Sequence, residues 1–304
     1  MDGLLVVDKP EGPTSHDVVD EIRRLAGIRR VGHAGTLDPF ATGVLPVCLG
    51  RATRLSRFLT SSRKAYEAVM RLGGVTDTYD RTGRLMRQGD VEGMTLDRVM
   101  GAARRFVGEI LQVPPPFSAR KVQGRRLHER ARAGELVLLS PSPVTIFRLE
   151  IVEVTGPFVR FVTETSPGTY IRSLAHDLGE ALGCGAHLTS LRRTGCGVLS
   201  LDQAHTLDRL KTSAAQGALG DCLLGLEAIE LGLPTVVLTD DGASAMATGR
   251  TLTESHVASP PDREVPEGGC PVRVKDLRGR LLGVALASTR ERTFELRPDV
   301  VLSG

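Results

Sequence analysis

Residues 32–45 read GHAGTLDPFATGVL, a stretch in which Asp38 is the only charged side chain. Its glycines let the backbone approach a ligand closely, and Pro39 biases Asp38 towards an extended conformation. An isolated Asp before Pro is ordinarily a turn residue. A rigid loop presenting one carboxylate is also what covalent catalysis at a carbon atom needs, since a carboxylate is ionised at neutral pH without a general base. The stretch therefore leaves two alternatives, a turn cap or a reactive group.

The composition is that of a globular protein. A length of 304 residues allows two domains, and 41% hydrophobic residues suit a substantial core. No segment approaches the roughly 18 apolar residues of a membrane span, and the N-terminus lacks the basic region of a signal peptide. The five cysteines form no CxxC pair, which favours a reducing compartment. We expect a cytoplasmic protein without a membrane partner.

Positive charge is concentrated in the first half of the chain. Residues 1–150 hold 24 Lys and Arg against 17 Asp and Glu, whereas residues 151–304 hold 15 against 19. The densest run, residues 120–132, has six basic residues and one acid. Such a run is either a solvated helix face or a strip that binds phosphates.

Common cofactor motifs are missing from the sequence. It contains no GxxxxGK[ST], no GxGxxG after a strand, no HExxH and no GxSxG. A metal site built from Cys184, His187 and Cys196 is the weaker alternative, because structural zinc usually has four ligands at tighter spacing. We therefore predict no cofactor and no metal, which leaves the chemistry to side chains such as Asp38.

Hydrophobic periodicity predicts mixed α/β structure followed by a β-rich tail. Thr14 and Asp17 form a predicted capping box, and Thr169 is the predicted N-cap of a later helix. The predicted strands span 4–7, 44–49, 66–72, 144–154 and 158–165. One predicted helix follows Thr14 and ends at Gly27, and two more span 95–107 and 170–182. From about Leu233, short strands at 235–238, 271–274, 281–286 and 292–296 predict a small all-β domain.

A specific resemblance rests on five blocks that occur in order. They are GLLVVDKPEGPTSHDVV (3–19), GHAGTLDPFATGVLP (32–46), KAYEAVMRLGGVTDTYDRTG (64–83), PPPFSARKVQGRRLHERARAG (114–134) and GTYIRSLAHDLGEALGCGAHLTSLRRT (168–194). Together they resemble the bacterial tRNA pseudouridine synthase family that modifies the T-loop uridine, the TruB type. The tail, at 243–249, 272–283 and 296–298, resembles a PUA-type RNA-binding module. The resemblance implies an α/β catalytic domain with a mixed, largely antiparallel sheet at 1–230, and a small all-β PUA-like domain at 233–304.

The resemblance also assigns residues. Asp38 would be the catalytic aspartate, Tyr66 the tyrosine that packs on the target base, and Arg172 the arginine that ion-pairs the aspartate. The implied substrate-binding residues are His33, Lys9, Pro10, Tyr170 and Leu191. Judged without the resemblance, Arg172 would be a solvated charge on an exposed helix turn, Lys9 plain surface and Leu191 plain core.

The implied reaction isomerises the T-loop uridine, position 55 of tRNA, to pseudouridine. The base must first be flipped out of the folded loop, at a cost of a few kcal/mol. Three roles are open to Asp38: attack at C1′, attack at C6, or proton abstraction. The expected partner is the tRNA T stem-loop, with a monomeric enzyme and no obligatory protein partner. The alternatives are a guide-RNA-dependent pseudouridylase and a non-catalytic RNA-binding protein or tRNA chaperone.

Overall fold

A computed structural model describes residues 1–117, 121–122, 125–126, 140–290 and 293–302, without the side chains of 121–122, 125–126, 290 and 293. Most of the predicted basic run at 120–132 lies outside the described residues. The chain forms two compact units. The first unit comprises Met1–Leu37, Leu45–Ser62 and Gly197–Gly304, and the second comprises Asp38–Val44 and Arg63–Cys196. The division into domains at 1–230 and 233–304 stays a prediction.

Strands outnumber helices in the described part of the chain. The α-helices are α1 (Ser15–Ala26), α2 (Ser56–Thr60), α3 (Leu96–Ala103), α4 (Ile171–Leu182), α5 (Leu207–Ala215) and α6 (Asp240–Ala247). The strands are β1 (Gly3–Lys9), β2 (Val31–His33), β3 (Thr42–Leu49), β4 (Lys64–Leu72), β5 (Gly74–Thr76), β6 (Leu85–Gln88), β7 (Gly108–Gln112), β8 (Lys121–Val122), β9 (Arg125–Arg126), β10 (Ser142–Thr155), β11 (Phe158–Thr165), β12 (Ala186–Cys196), β13 (Leu199–Ser200), β14 (His205–Thr206), β15 (Leu224–Gly225), β16 (Thr235–Leu238), β17 (Leu252–Thr253), β18 (Val257–Ser259), β19 (Cys270–Lys275), β20 (Leu281–Arg290) and β21 (Thr293–Val301). None of the helices in the described ranges is long and apolar enough to cross a membrane.

The second unit is built on a mixed sheet with the strand order β3-β12-β4-β11-β10-β7. Only the first residues of β3, as far as Val44, belong to this unit. The β3–β12 pair is parallel, and the other four neighbouring pairs are antiparallel. This confirms the predicted mixed, largely antiparallel sheet. The predicted strands 144–154 and 158–165 are present as β10 and β11, which form a hairpin joined by a two-residue turn that contains Gly156 at φ 56°.

Two helices cover one face of this sheet. On β4 the side chains of Ala68, Met70 and Leu72 are buried, as the period-two alternation predicts. Helix α4 packs on β12, and α3 packs on β10 and α4. The predicted helix at 95–107 is observed as α3, followed by a 3₁₀ turn at 104–106.

The predicted N-cap of α4 was wrong by one residue. Tyr170 is the N-cap, in an extended conformation at φ −98° and ψ 111°, and its side chain makes no capping hydrogen bond. The Thr169 hydroxyl instead donates to the Ser166 carbonyl at 2.9 Å. Because the Tyr170 backbone is extended, the helix begins at Ile171, and the Tyr170 amide donates to the Gln112 side-chain oxygen at 2.8 Å.

In the first unit, α1 has the predicted capping box. The Asp17 amide donates to the Thr14 hydroxyl, and the Asp17 carboxylate accepts from the Thr14 amide at 2.8 Å. The helix ends at Gly27, which has the left-handed φ of 65° that glycine tolerates best. Strand β1 pairs with β14 in parallel and with β15 antiparallel, and β2 pairs with β3.

The C-terminal part of the first unit holds a separate sheet in the order β17-β21-β20-β19-β16-β18. Its core contains Val236, Val272 and Val274, and the buried Met246 of α6 packs among them. The small C-terminal β domain predicted from the sequence is therefore confirmed, with α6 as an added helix.

Candidate active site

The Asp38 loop has the form that its sequence suggests. The Ala41 amide donates to the Asp38 carbonyl at 3.1 Å, closing a tight turn just after Asp38. Gly43 has φ 102°, a conformation that L side chains rarely adopt. The Asp38 side chain keeps 34% of its surface exposed, so its carboxylate is accessible to a substrate.

Arg172 holds the Asp38 carboxylate through both of its oxygens. Its Nη2 donates to Oδ1 at 3.1 Å, and its Nε lies 2.9 Å from Oδ2. The Nη2 hydrogen bond gives the pair a direction, and the close Nε contact adds charge attraction. The predicted ion pair between these two residues is thus present, although they lie 134 positions apart in the sequence.

Arg172 is buried, with only 5% of its side chain exposed, so the alternative of a solvated charge was wrong. The first turn of α4 packs into the unit rather than facing solvent, and Ile171, Arg172 and Ser173 are all buried. A buried guanidinium needs partners to offset the loss of water. Nη1 donates to the Thr78 carbonyl and Nη2 to the Phe117 carbonyl, both at 2.9 Å.

Asp80 is a site residue that the sequence reasoning missed. Its Oδ2 lies 3.5 Å from Nη1 of Arg172, and its side chain is 5% exposed. The Thr78 and Thr82 hydroxyls both donate to its Oδ1, so the carboxylate is fixed on its other side. Arg172 is therefore held between a half-buried carboxylate, Asp38, and a buried one, Asp80. Asp80 lies within the quoted block 64–83, but only the folded chain shows that it faces Arg172.

Tyr66 is placed on β4 opposite Arg193 of β12. Burial raises the pKa of the Tyr66 phenol; the positive charge of Arg193 and a hydrogen bond with its side chain act in the opposite direction. The Asp38 charge also contributes to raising this pKa, so Tyr66 lies close enough to Asp38 to interact with it electrostatically. The structure thus brings Asp38 and Arg172 into contact, and the role of Tyr66 beside them stays a prediction.

Arg193 is a second residue that the sequence reasoning missed. It is 1% exposed, and its Nε donates to the Val44 carbonyl at 2.7 Å. It pairs with Gly43 of β3 on one side and with Tyr66 of β4 on the other. It therefore connects the Asp38 loop to the strand that carries the tyrosine.

Leu191 and Tyr170 lie in the same unit. Leu191 is 6% exposed and pairs with Ala68, two residues from Tyr66 and on the same face of the sheet. Tyr170 is half-buried, and its backbone makes two hydrogen bonds with the side chain of the buried Gln112. Their roles in binding substrate stay predictions.

The other three predicted substrate-binding residues lie in the first unit. His33 ends β2, is half-buried and pairs with Val47. Lys9 is fully buried, not plain surface, and its Nζ donates to the carbonyl of the exposed Pro10 at 2.7 Å. Their roles stay predictions as well.

Within the described residues, no three His, Cys, Asp or Glu side chains are grouped so that they could hold a metal ion. Cys184, His187 and Cys196 accordingly form no such cluster. The His187 ring is instead hydrogen-bonded through Nδ1 to the Gly74 carbonyl at 2.8 Å.

An accessible aspartate paired with a buried arginine, in a unit whose mixed sheet also carries Tyr66, is the site expected of a pseudouridine synthase. Residues 23–171 match the family model described as TruB family pseudouridylate synthase (N terminal domain). Residues 172–229 match that of the tRNA pseudouridylate synthase B C-terminal domain. The chain belongs to the TruB family.

Relatives support this membership along nearly the whole chain. A protein of Solibacter usitatus (strain Ellin6076) named tRNA pseudouridine synthase B is 45% identical over 86% of this chain and 89% of its own. One of the same name from Burkholderia pseudomallei (strain 668) is 46% identical over 95% of this chain and 94% of its own. A chain from the crystal structure of the archaeal box H/ACA sRNP Nop10–Cbf5 complex is similar with a TM-score of 0.77 and 28% identity, over 99% of this chain and 86% of that one.

Proposed function

We propose that this protein is a tRNA pseudouridine synthase that isomerises the T-loop uridine at position 55. The observation that carries the proposal is the pairing of the accessible Asp38 carboxylate with the buried Arg172, beside Tyr66. Relatives about 45% identical that bear the name tRNA pseudouridine synthase B support tRNA as the substrate. The reaction would take place in the cytoplasm, on a monomeric enzyme.

The proposed reaction needs only atoms that the substrate already holds. The N1–C1′ bond breaks, the uracil turns over, and C5 bonds to C1′ while C5 loses a proton and N1 gains one. Asp38 is the essential carboxylate of this sequence, and Arg172 orients it by charge pairing.

The remaining side chains of the site act on the base. Tyr66 supplies a π-surface for the extruded uracil, the common way in which proteins hold a flipped base. Leu191, on the same face, supplies an apolar wall. His33, Lys9 and Pro10 lie in the first unit, and their proposed roles in binding RNA rest on the family resemblance alone.

The test is to incubate the purified protein with an unmodified tRNA transcript and to map pseudouridine. We expect conversion at position 55 by the wild type and a loss of at least about 10³-fold in rate for Asp38→Asn, as for other essential catalytic groups. Asp97→Asn, which changes an exposed carboxylate in the same unit, is the matched control and should keep wild-type activity. Normal conversion by Asp38→Asn would refute the role of Asp38, and conversion at another uridine would refute the assigned position.

A guide-RNA-dependent pseudouridylase is a second candidate, because the similar archaeal structure is of an H/ACA ribonucleoprotein. A bare T stem-loop without guide RNA or partner protein separates the two. Conversion of this RNA supports the stand-alone enzyme, and conversion only after a guide RNA is added supports the second candidate. RNA binding without conversion in either case would support a non-catalytic RNA chaperone.

A further inference from the structure

Tyr79 has an unusual backbone. Its φ is 61°, and it is the only non-glycine residue with a positive φ in the described part of the chain. A bulky side chain in this region costs on the order of 1–3 kcal/mol and persists only where the surrounding structure imposes it. Such strain tends to be retained at functional sites.

The strained residue sits between two groups that contact Arg172. The preceding carbonyl, of Thr78, accepts from Nη1 at 2.9 Å, and the following carboxylate, of Asp80, lies 3.5 Å from the same nitrogen. The left-handed conformation of Tyr79 reverses the direction of the chain. The Thr78 carbonyl and the Asp80 carboxylate therefore both point at the Arg172 guanidinium. The turn is also fastened to β12, because the Leu188 amide donates to the Tyr79 carbonyl at 3.0 Å.

The Tyr79 side chain fixes this turn to helix α4. Its ring stacks on the imidazole of His176, with 3.9 Å between the ring centroids and 4° between the planes. His176 lies four residues after Arg172 on α4, which places both side chains on one side of the helix. Helix α4 thus carries Arg172 and also His176, whose ring stacks on the turn that contains the partners of Arg172.

The stack also fixes the His176 ring. Nδ1 of His176 is buried and makes no hydrogen bond among the described residues, so it does not anchor the ring. Burial lowers the pKa of His176, which keeps the imidazole neutral at neutral pH, and a neutral ring stacks on tyrosine without charge desolvation.

We infer that the Tyr79–His176 stack is a positioning device for the Asp38–Arg172 pair. It holds the 78–80 turn against the guanidinium, and the guanidinium in turn holds the carboxylate of Asp38. As a role in catalysis, this inference rests on the proposed function. In this role the two rings act through the 78–80 turn and Arg172.

The kinetic test compares variants that remove a ring with variants that keep one. Tyr79→Gly accepts the left-handed backbone but lacks the ring, and His176→Ala removes the other half of the stack. Both should lower kcat for pseudouridine formation about tenfold with KM within twofold, because a small misplacement of a catalytic group slows the reaction without weakening binding. Tyr79→Phe and His176→Phe, which keep an aromatic ring, should recover at least half of kcat.

Two controls make the kinetic result specific. The double variant Tyr79→Gly/His176→Ala should be no slower than the slower single variant, since both lose the same stack. His16→Ala removes a histidine whose side chain is 74% exposed on α1 and should keep wild-type kcat. A wild-type kcat in folded Tyr79→Gly and His176→Ala would overturn the inference, as would a drop that the phenylalanine variants do not recover. If Tyr79→Gly does not fold, the two His176 variants decide the question alone.

A second readout does not depend on activity. The exchange of the Arg172 Nε–H proton with water, followed by ¹⁵N NMR, should be at least about tenfold faster in His176→Ala than in the wild type or His176→Phe. Unchanged exchange would overturn the positioning role even if the enzyme is active. If exchange is faster in His176→Ala but the wild type forms no pseudouridine, the positioning role is kept and the proposed function is refuted.

Discussion

Arg193 and Tyr66 face each other across the antiparallel pair of β12 and β4, and a hydrogen bond connects their side chains. Arg193 also donates to the carbonyl of Val44, at the inner end of the Asp38 loop, at 2.7 Å. One buried guanidinium thus holds the tyrosine ring and the loop that carries the aspartate. Because a fixed ring requires no reordering when the base arrives, this arrangement favours stacking by Tyr66.

The ring of Tyr66 should matter more than its hydroxyl. Tyr66→Phe keeps the π-surface and should lower kcat/KM less than tenfold. Tyr66→Leu removes the surface and should lower kcat/KM by about 5–150-fold, corresponding to the 1–3 kcal/mol of base–aromatic stacking. Steady-state kinetics on a T stem-loop measures both. Equal activity of Tyr66→Leu and the wild type would refute the stacking role.

Replacing Arg193 should raise the pKa of Tyr66 further. Burial already raises this pKa, and Arg193 opposes the effect through its charge and its hydrogen bond. In Arg193→Met the phenol should therefore titrate at a higher pH than in the wild type, with Arg193→Lys between the two. Only three tyrosines are present, so ¹³Cζ-labelled tyrosine gives three NMR signals that Tyr→Phe variants assign. An unchanged titration of Tyr66 in Arg193→Met would contradict this coupling.

Asp80→Asn should slow the reaction without preventing substrate binding. The substitution keeps the shape of the side chain but removes one of two negative charges beside the buried Arg172. We expect kcat to fall about 10–100-fold with KM nearly unchanged, and the free energy of unfolding to fall by about 1–3 kcal/mol. Asp77→Asn is the matched control in the same loop, where the carboxylate accepts from the Arg84 amide. Wild-type kcat in folded Asp80→Asn would show that Asp38 alone suffices as the partner of Arg172.

Local sequence patterns predicted the elements well. The capping box of α1, the buried alternation on β4 and the hairpin of β10 and β11 depend on neighbouring residues, so the sequence shows them directly. The Asp38–Arg172 pair is different. Its members are distant in the chain, and only the resemblance to a family brought them together.

The missed residues were missed for physical reasons. Asp80 reaches Arg172 through a left-handed Tyr79, a conformation that a sequence pattern would assign to glycine. The register that sets Arg193 opposite Tyr66 depends on two irregularities in β12, between Leu188 and Ser190 and between Arg193 and Gly195. A shift of one residue would turn Arg193 to the other face, and residue patterns do not fix such shifts.

Gly43→Ala should destabilise the fold near the site. Gly43 has φ 102°, and a Cβ there would lie 2.2 Å from the Arg193 carbonyl oxygen, a backbone atom that cannot move cheaply. We expect a loss of about 2–4 kcal/mol in the free energy of unfolding, from strain and overpacking together. Gly101→Ala, in α3 with nothing near its Cβ position, should instead stabilise by about 0.5–1 kcal/mol. Urea unfolding measures both, and equal stability of the two variants would refute the close packing of β3 on β12.

Asp177→Asn should stabilise the protein at neutral pH but not in acid. Burial, with a smaller contribution from the charge of Glu180, raises the pKa of Asp177 to about 6 from its ordinary 3.8. Between pH 3.8 and about pH 6 the native state binds more protons than the unfolded state. The contribution of Asp177 to the free energy of unfolding therefore falls as the pH rises through this range. Above pH 6 the charged carboxylate opposes folding in full.

Removing that charge should raise the free energy of unfolding by about 1–2 kcal/mol at pH 7.5, a value reduced from the full shift because the side chain is partly exposed to solvent. Near pH 4 the variant and the wild type should be equally stable. Asp208→Asn, whose carboxylate is 93% exposed, is the control and should change stability by less than about 1 kcal/mol at either pH. Urea unfolding at pH 4 and pH 7.5 measures these stabilities. An effect of Asp177→Asn that is the same at both pH values would arise from packing rather than from the titration of a buried carboxyl.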